Sequence, residues 1–145
     1  MTYVGTDLPR IDADDRLRGA TRFMGDLKPH GLLHARLVLA MEAHATIDRV
    51  VKDDALAVPG VVAVLTADDL PTAFEGPMRQ FEPLARGEIV FAGQPVAIVL
   101  AESEAAAEDG VEAVIVETTS LPVVVDLEAA IELDSPAARV RAVTG

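Results

Sequence analysis

Cysteine and tryptophan are both absent from this 145-residue chain. Without a thiol it can form neither a disulfide nor a Cys-ligated iron–sulfur cluster, so any electron relay has to lie on another polypeptide. A cysteine-free composition is compatible with the cytoplasm, which is the expected location. Aromatic residues are scarce as well, being limited to Tyr3, Phe23, Phe74, Phe81 and Phe91. Half of the chain is nevertheless apolar, so Val, Leu, Ile and Ala must build the core of a folded protein. Its longest apolar runs, such as Pro95 to Ala101, fall far short of the ~20 residues of a membrane-spanning helix. Met1 to Asp15 has neither the basic nor the apolar region of a secretory signal, so no export is expected.

Positive charge is missing from one long stretch. Residues 1–50 hold seven basic and seven acidic side chains, whereas 51–145 hold five and seventeen, giving the formal net charge of −12. Between Arg86 and Arg139 there is no Lys or Arg, while Glu88 to Asp134 supplies eleven carboxylates. Such a field repels a phosphate backbone, which argues against nucleic acid as a partner, and a solvated acidic surface is favoured over an acidic docking face.

Recognisable catalytic motifs are lacking too. Ser103, Ser120 and Ser135 stand outside any Gly-x-Ser-x-Gly elbow, so acyl transfer is unsupported. Gly5 and Gly60 belong to no phosphate-cradling loop. Lys28 and Lys52 lack the hairpin context of a biotinyl or lipoyl carrier. His30 and His34 are spaced to share a metal on a helix, but Pro29 and Gly31 break any helix there, and His34 falls in an alternating strand. A half-buried, hydrogen-bonded His34 is the expectation, with no role for His44 as a ligand. Asp12, Asp14 and Asp15 read as a turn with local ion pairs, because Arg16 and Arg18 intrude where a calcium loop needs oxygen ligands. No catalytic, cofactor-binding or metal-binding residue is therefore assigned to the chain.

What is present is a set of short strands interleaved with two or three short helices, predicting an α+β (mixed α/β) fold. Residues 1–16 read as an extended arm, 17–134 as a single domain, and 135–145 as a tail. Strands are expected over Gly19–Phe23, Leu32–Leu39, Ala45–Val51, Val61–Val64, Pro95–Ala101 and Val114–Val116, from alternation and β-branched content. Glu88–Ala92 joins Pro95–Ala101 as a separate strand or as one strand bent at Gly93. Thr66 is placed to cap a helical turn, Ser103 to cap a helix over Glu104–Glu112, and Asp126 to cap a last short helix to Glu132. Gly110 costs the middle helix about 1 kcal/mol relative to Ala. Thr72 to Gly87 is the longest loop and reads as a contact surface.

Several segments, taken in order, carry a family resemblance. They are Pro9-Arg10-Ile11-Asp12-Ala13 with Gly19, Gly31-Leu32-Leu33-His34-Ala35, Ala43-His44-Ala45-Thr46-Ile47, Pro59 to Thr66, Phe91 to Ala97, and Leu121-Pro122. With these the chain resembles the N-terminal α/β-hammerhead domain of the molybdenum hydroxylases, the xanthine dehydrogenase, aldehyde oxidase and carbon monoxide dehydrogenase large-subunit family. The match departs at Leu17-Arg18-Gly19, where Val-Thr-Gly is common, at Ala40-Met41-Glu42, where Ser-Pro is usual, and at Thr118-Thr119, where Tyr-Glu is usual.

The resemblance implies a hammerhead fold with a mixed sheet, and an oxidoreductase that inserts water-derived oxygen into a C–H bond. It implies molybdopterin, [2Fe-2S] and FAD on partner domains or subunits, with none bound by this chain alone. The expected role is a non-catalytic docking component, a separate subunit or a fragment, whose partner is the molybdopterin-binding polypeptide. The alternative is a free-standing hammerhead binding module without a redox role.

Overall fold

A computed structural model describes residues 4, 5, 7, 10–71, 82–132 and 134–136. Pro9, residues 72–81 of the long loop and residues 137–145 of the expected tail lie outside the described residues. The chain divides into two compact units between Leu32 and Leu33.

The first unit is built from local contacts. The segment read as an extended arm contains a short helix, α1 (Ala13–Leu17), whose first turn carries Asp14 and Asp15, a favourable sign at the positive end of a helix. Asp12 accepts from Arg10 and from Arg16, the latter at 2.6 Å, and these cations, Arg10 first, hold its carboxyl below the usual range. Arg18 pairs with Asp14 at 3.0 Å, and Arg16 lies 5.7 Å from the centre of the Phe23 ring. Gly19 to Phe23 is not a strand: none of the described strands pairs with it, and a single 3-10 turn, Met24–Asp26, follows. None of the described side chains of this unit is buried.

The second unit holds the core. Its strands are β1 (His34–Leu39), β2 (Ala45–Val51), β3 (Val61–Thr66), β4 (Glu88–Ile89), β5 (Pro95–Ala101) and β6 (Ile115–Ser120). The α+β class holds, but the strands split into two three-stranded sheets, β1-β5-β3 and β4-β2-β6, rather than one mixed sheet. Every described pairing is antiparallel. The switch between sheets occurs at Phe91-Ala92-Gly93-Gln94-Pro95. Gly93 takes φ +86°, a left-handed conformation that suits glycine, and its N–H donates to the Ala40 carbonyl at 2.8 Å. Buried Gln94 accepts from the Val90 N–H at 2.8 Å, so β4 and β5 are two strands held at a fixed corner.

Two helices, α2 (Asp53–Ala57) and α3 (Glu104–Ala113), cover one face of the β1-β5-β3 sheet. Buried Val38, Ala55, Val64, Ala97 and Val99 make the core beneath them, with Val61 and Val111 packed alongside. A second cluster, Ala40, Ala45, Ala85, Ile89 and Val96, fills the region of the other sheet. Leu84 and Ala85 are buried, and the Ala85 N–H donates to the Pro95 carbonyl at 2.7 Å. The described end of the long loop thus packs into the core instead of offering a contact surface, because its backbone finds partners there.

The Ser103 cap is observed: its hydroxyl accepts from the Ala106 N–H at 3.1 Å. Ser103→Ala is expected to cost about 1 kcal/mol, read as a lower urea midpoint with an unchanged denaturant slope; an unaltered midpoint would remove the cap from the account. At Thr66 the roles differ from the expectation. The Asp69 carboxylate accepts from the Thr66 N–H at 2.8 Å and from its hydroxyl at 3.0 Å. Asp126 accepts from the Ala129 N–H at 2.9 Å, and the expected last helix is only a 3-10 turn, Ala129–Ile131.

Candidate functional site

The most unusual polar arrangement lies where β2, β4 and the end of β6 meet. His44, just before β2, and Glu88, at the start of β4, are both buried, with side chains 4% and 0% exposed. Both residues of β4 are buried, and antiparallel pairing sets Glu88 opposite Thr46, two residues beyond His44. His44 Nε2 lies 3.2 Å from the Glu88 carboxylate and Nδ1 lies 2.6 Å from the Pro122 carbonyl. With Glu88 ionised, both ring nitrogens face acceptors, an arrangement that the doubly protonated imidazolium satisfies. The Pro122 carbonyl, and then Glu88, accordingly raise the His44 pKa against the opposing pull of burial. The His44 backbone carbonyl also accepts from the Leu121 N–H at 2.9 Å, so this one residue clamps the Leu121-Pro122 break by side chain and main chain.

A buried pair of this kind can hold a proton and fix a chain crossing. A cavity of about 250 Å³ adjoins His44 and is walled mainly by Val90, Pro122, Val123 and Val124. Ser135 also lines it but stands outside any nucleophile elbow. A second cleft, about 320 Å³, gathers Arg49, Lys52 and Arg86. Each of these cations has a carboxylate at hand: Arg49 pairs with Glu117 at 3.0 Å, Lys52 with Asp69 at 3.5 Å and Arg86 with Asp68 at 2.8 Å. An apolar groove of about 510 Å³ runs along Leu39, Met41, Val111, Val114 and Val116.

The residues weighed in the sequence fall in different places. His30 is exposed in a turn, while His34 opens β1, half-buried, with Nδ1 3.7 Å from Glu104. That spacing is too long for the expected hydrogen bond. Ser103 caps α3, Ser120 donates to Glu42, and the Ser135 N–H donates to the Glu132 carbonyl at 3.1 Å. Lys28 is exposed, Lys52 bridges to Asp69, and Gly5 and Gly60 adopt φ +85° and +91°. Among the described residues no group of three or more His, Cys, Asp or Glu side chains could hold a metal ion. Nor is any described helix long and apolar enough to cross a membrane.

Sequence reasoning missed three polar residues. Glu88 and Gln94 are buried and bonded, and the signal available for Glu88 was a lone carboxylate heading an apolar strand. Glu42 accepts from the Ser120 and Thr118 hydroxyls, which in that order lower its pKa. Two of the departures from the family pattern, at Glu42 and at Thr118, therefore touch each other, and each supplies the other's hydrogen bond.

Comparison with known proteins places this geometry. Residues 18–122 match the family model of the aldehyde oxidase and xanthine dehydrogenase a/b hammerhead domain. Over 133 residues the chain is 40% identical to the carbon monoxide dehydrogenase large chain of Hydrogenophaga pseudoflava, covering 85% of this chain and 16% of that one. It is 33% identical to a xanthine dehydrogenase of Emericella nidulans, covering 88% of this chain and 10% of that one. A crystal structure of the Cu,Mo-CO dehydrogenase in its carbon monoxide reduced state superposes with TM-score 0.80 at 33% identity, covering 91% of this chain and 17% of that one. An aldehyde oxidoreductase from Desulfovibrio gigas superposes with TM-score 0.79 at 29% identity, covering 93% and 16%. The chain thus spans about 9% to 18% of the length of such relatives.

Proposed function

This chain belongs to the aldehyde oxidase and xanthine dehydrogenase family as its a/b hammerhead domain, and from that premise we propose that it is a non-catalytic docking component of a molybdopterin-dependent hydroxylase or dehydrogenase. The observation that carries the proposal is the continuous match over residues 18–122 to a domain that makes up 16% of a related large chain. A component of that size leaves the reaction centre to the rest of the enzyme.

The cleft that gathers Arg49, Lys52 and Arg86 does not fit a molybdopterin cofactor. Its phosphate calls for unclaimed donors or cations, whereas the basic cleft around Arg49, Lys52 and Arg86 already carries a carboxylate for each cation. Molybdopterin is accordingly proposed on the partner polypeptide, and [2Fe-2S] and FAD on further domains or subunits. A cytoplasmic location goes with this proposal and rests on the sequence alone. The buried His44–Glu88 pair serves the fold here, fixing the path from β6 to Pro122.

Purification of the tagged full chain under conditions that preserve such complexes tests the proposal. A molybdopterin-binding polypeptide should accompany it in fixed stoichiometry. A folded monomer that never acquires such a partner would instead mark a free-standing hammerhead module and end the docking reading.

A further inference from the structure

The β1-β5-β3 sheet has two apolar faces, and among the described helices and strands of its unit a cover is seen on one. Beneath α2 and α3 lie Val38, Ala97, Val99 and Val64. On the opposite face the register lines up two cross-strand rows, Ala35-Leu100-Ala63 and Leu37-Ile98-Leu65. All six side chains are apolar; Ala35 and Leu37 are exposed, Leu37 at 47%, and the other four are half-buried. A strand that meets water on one face alternates apolar with polar residues, whereas the unbroken run Pro95–Ala101 is the pattern of a strand buried on both faces. A contiguous patch of this kind marks an interaction surface.

We infer that this open face is the docking surface for the molybdopterin-binding polypeptide, which would lay a matching apolar layer across Leu37, Ile98 and Leu100. The inference rests on the docking role proposed above and deepens it by naming the face. Two observations select the occupant. The matched region is 16% of a related large chain, so in that relative most of the polypeptide lies outside it and is available as a cover. A second copy is disfavoured, because two chains each carrying −12 repel as they approach. The partner's contact surface should be apolar and uncharged, since the six positions offer no group to pair with a charge.

A photo-crosslinking amino acid placed at Leu37 of the full chain, in the cells that produce it, tests the assignment. A control carries the crosslinker at Asp109, exposed on α3 and so on the covered side of the sheet. Crosslinked polypeptides are identified by mass and by the fluorescence of the oxidised pterin they release. Capture of a pterin-bearing polypeptide from Leu37 but not from Asp109 is the expected result. Leu37→Asp, at a position already half exposed, should weaken binding of the purified polypeptide about thirtyfold or more while leaving the melting transition of the chain in place. Capture of the pterin-bearing polypeptide from Asp109 alone would overturn this face and leave the docking role standing. Capture of a second copy, or of the chain's own residues, at Leu37 would overturn the occupant. Failure of both positions to reach any pterin-bearing polypeptide would remove the docking role as well.

Discussion

Replacing His44 by alanine is expected to cost the fold about 3–5 kcal/mol, the loss typical of breaking a buried ion pair from one side. The side chain joins Glu88 at 3.2 Å to the Pro122 carbonyl at 2.6 Å, so its removal strips the buried Glu88 carboxylate and a part-buried carbonyl of a charged donor. Glu88→Gln keeps the shape and discards the charge, and should cost less, about 1–3 kcal/mol. Urea unfolding at about pH 6 reads both, with His44→Ala the more damaging. The same pair sets a pH dependence. The Pro122 carbonyl first, and then Glu88, raise the folded pKa of His44 above its unfolded value of about 6.5. A proton held more tightly in the folded state contributes stability that is complete below about pH 6.5 and is lost as pH rises through the folded value. The urea midpoint of the unsubstituted chain should therefore decline over that interval, and the step should be missing from His44→Ala. A midpoint that climbs there, or a step that survives the substitution, would refute the imidazolium assignment.

The second large effect is expected at Gly110. A Cβ built there lies 2.8 Å from Val99 Cγ1 and 2.9 Å from Val61 Cγ2, closer than carbon atoms pack. Val99 is fully buried in the centre of the sheet and cannot retreat. Gly110→Ala should gain about 1 kcal/mol of helix propensity and lose about 1–3 kcal/mol to overpacking, a net destabilisation. Gly110→Val adds two further carbons at the same contact and should be worse. Thermal unfolding of the two variants checks this ordering, and a stabilised Gly110→Ala would show that α3 can move off the sheet at little cost.

Much of the framework was legible in the sequence because it rests on local chemistry. Strands β1, β2, β3 and β5, the Ser103 cap and the break at Leu121-Pro122 follow from alternation, β-branching, a hydroxyl before an apolar helix and a proline. The expected strand over Gly19–Phe23 failed for a different reason: β-compatible residues need a partner, and none of the described strands pairs with them. Gly110 shows the same limit from the other side. Helix propensity treats it as a weakness, whereas packing makes it the residue that lets α3 approach Val61 and Val99.

The candidate site was less legible. His44 appeared as a family position and Gly93-Gln94-Pro95 as a turn, but Glu88 carries no local sign of its partner, which lies 44 residues away in sequence. Glu42 and Thr118 stood out only as departures from a pattern. Their hydrogen bond is a fact of strand pairing.

What the sequence by itself determined is family, class and the absence of recognisable catalytic motifs, since ordered segments, periodicity and residue inventory are all one-dimensional. Tertiary structure alone decided three things: that Phe91 to Pro95 turns the chain between two separate sheets, that His44 and Glu88 meet in a buried pair, and that one apolar face of the β1-β5-β3 sheet has no cover among the described elements of its unit. Each depends on which distant residues meet. Antiparallel register sets those meetings, and hydrophobic patterning can only permit them.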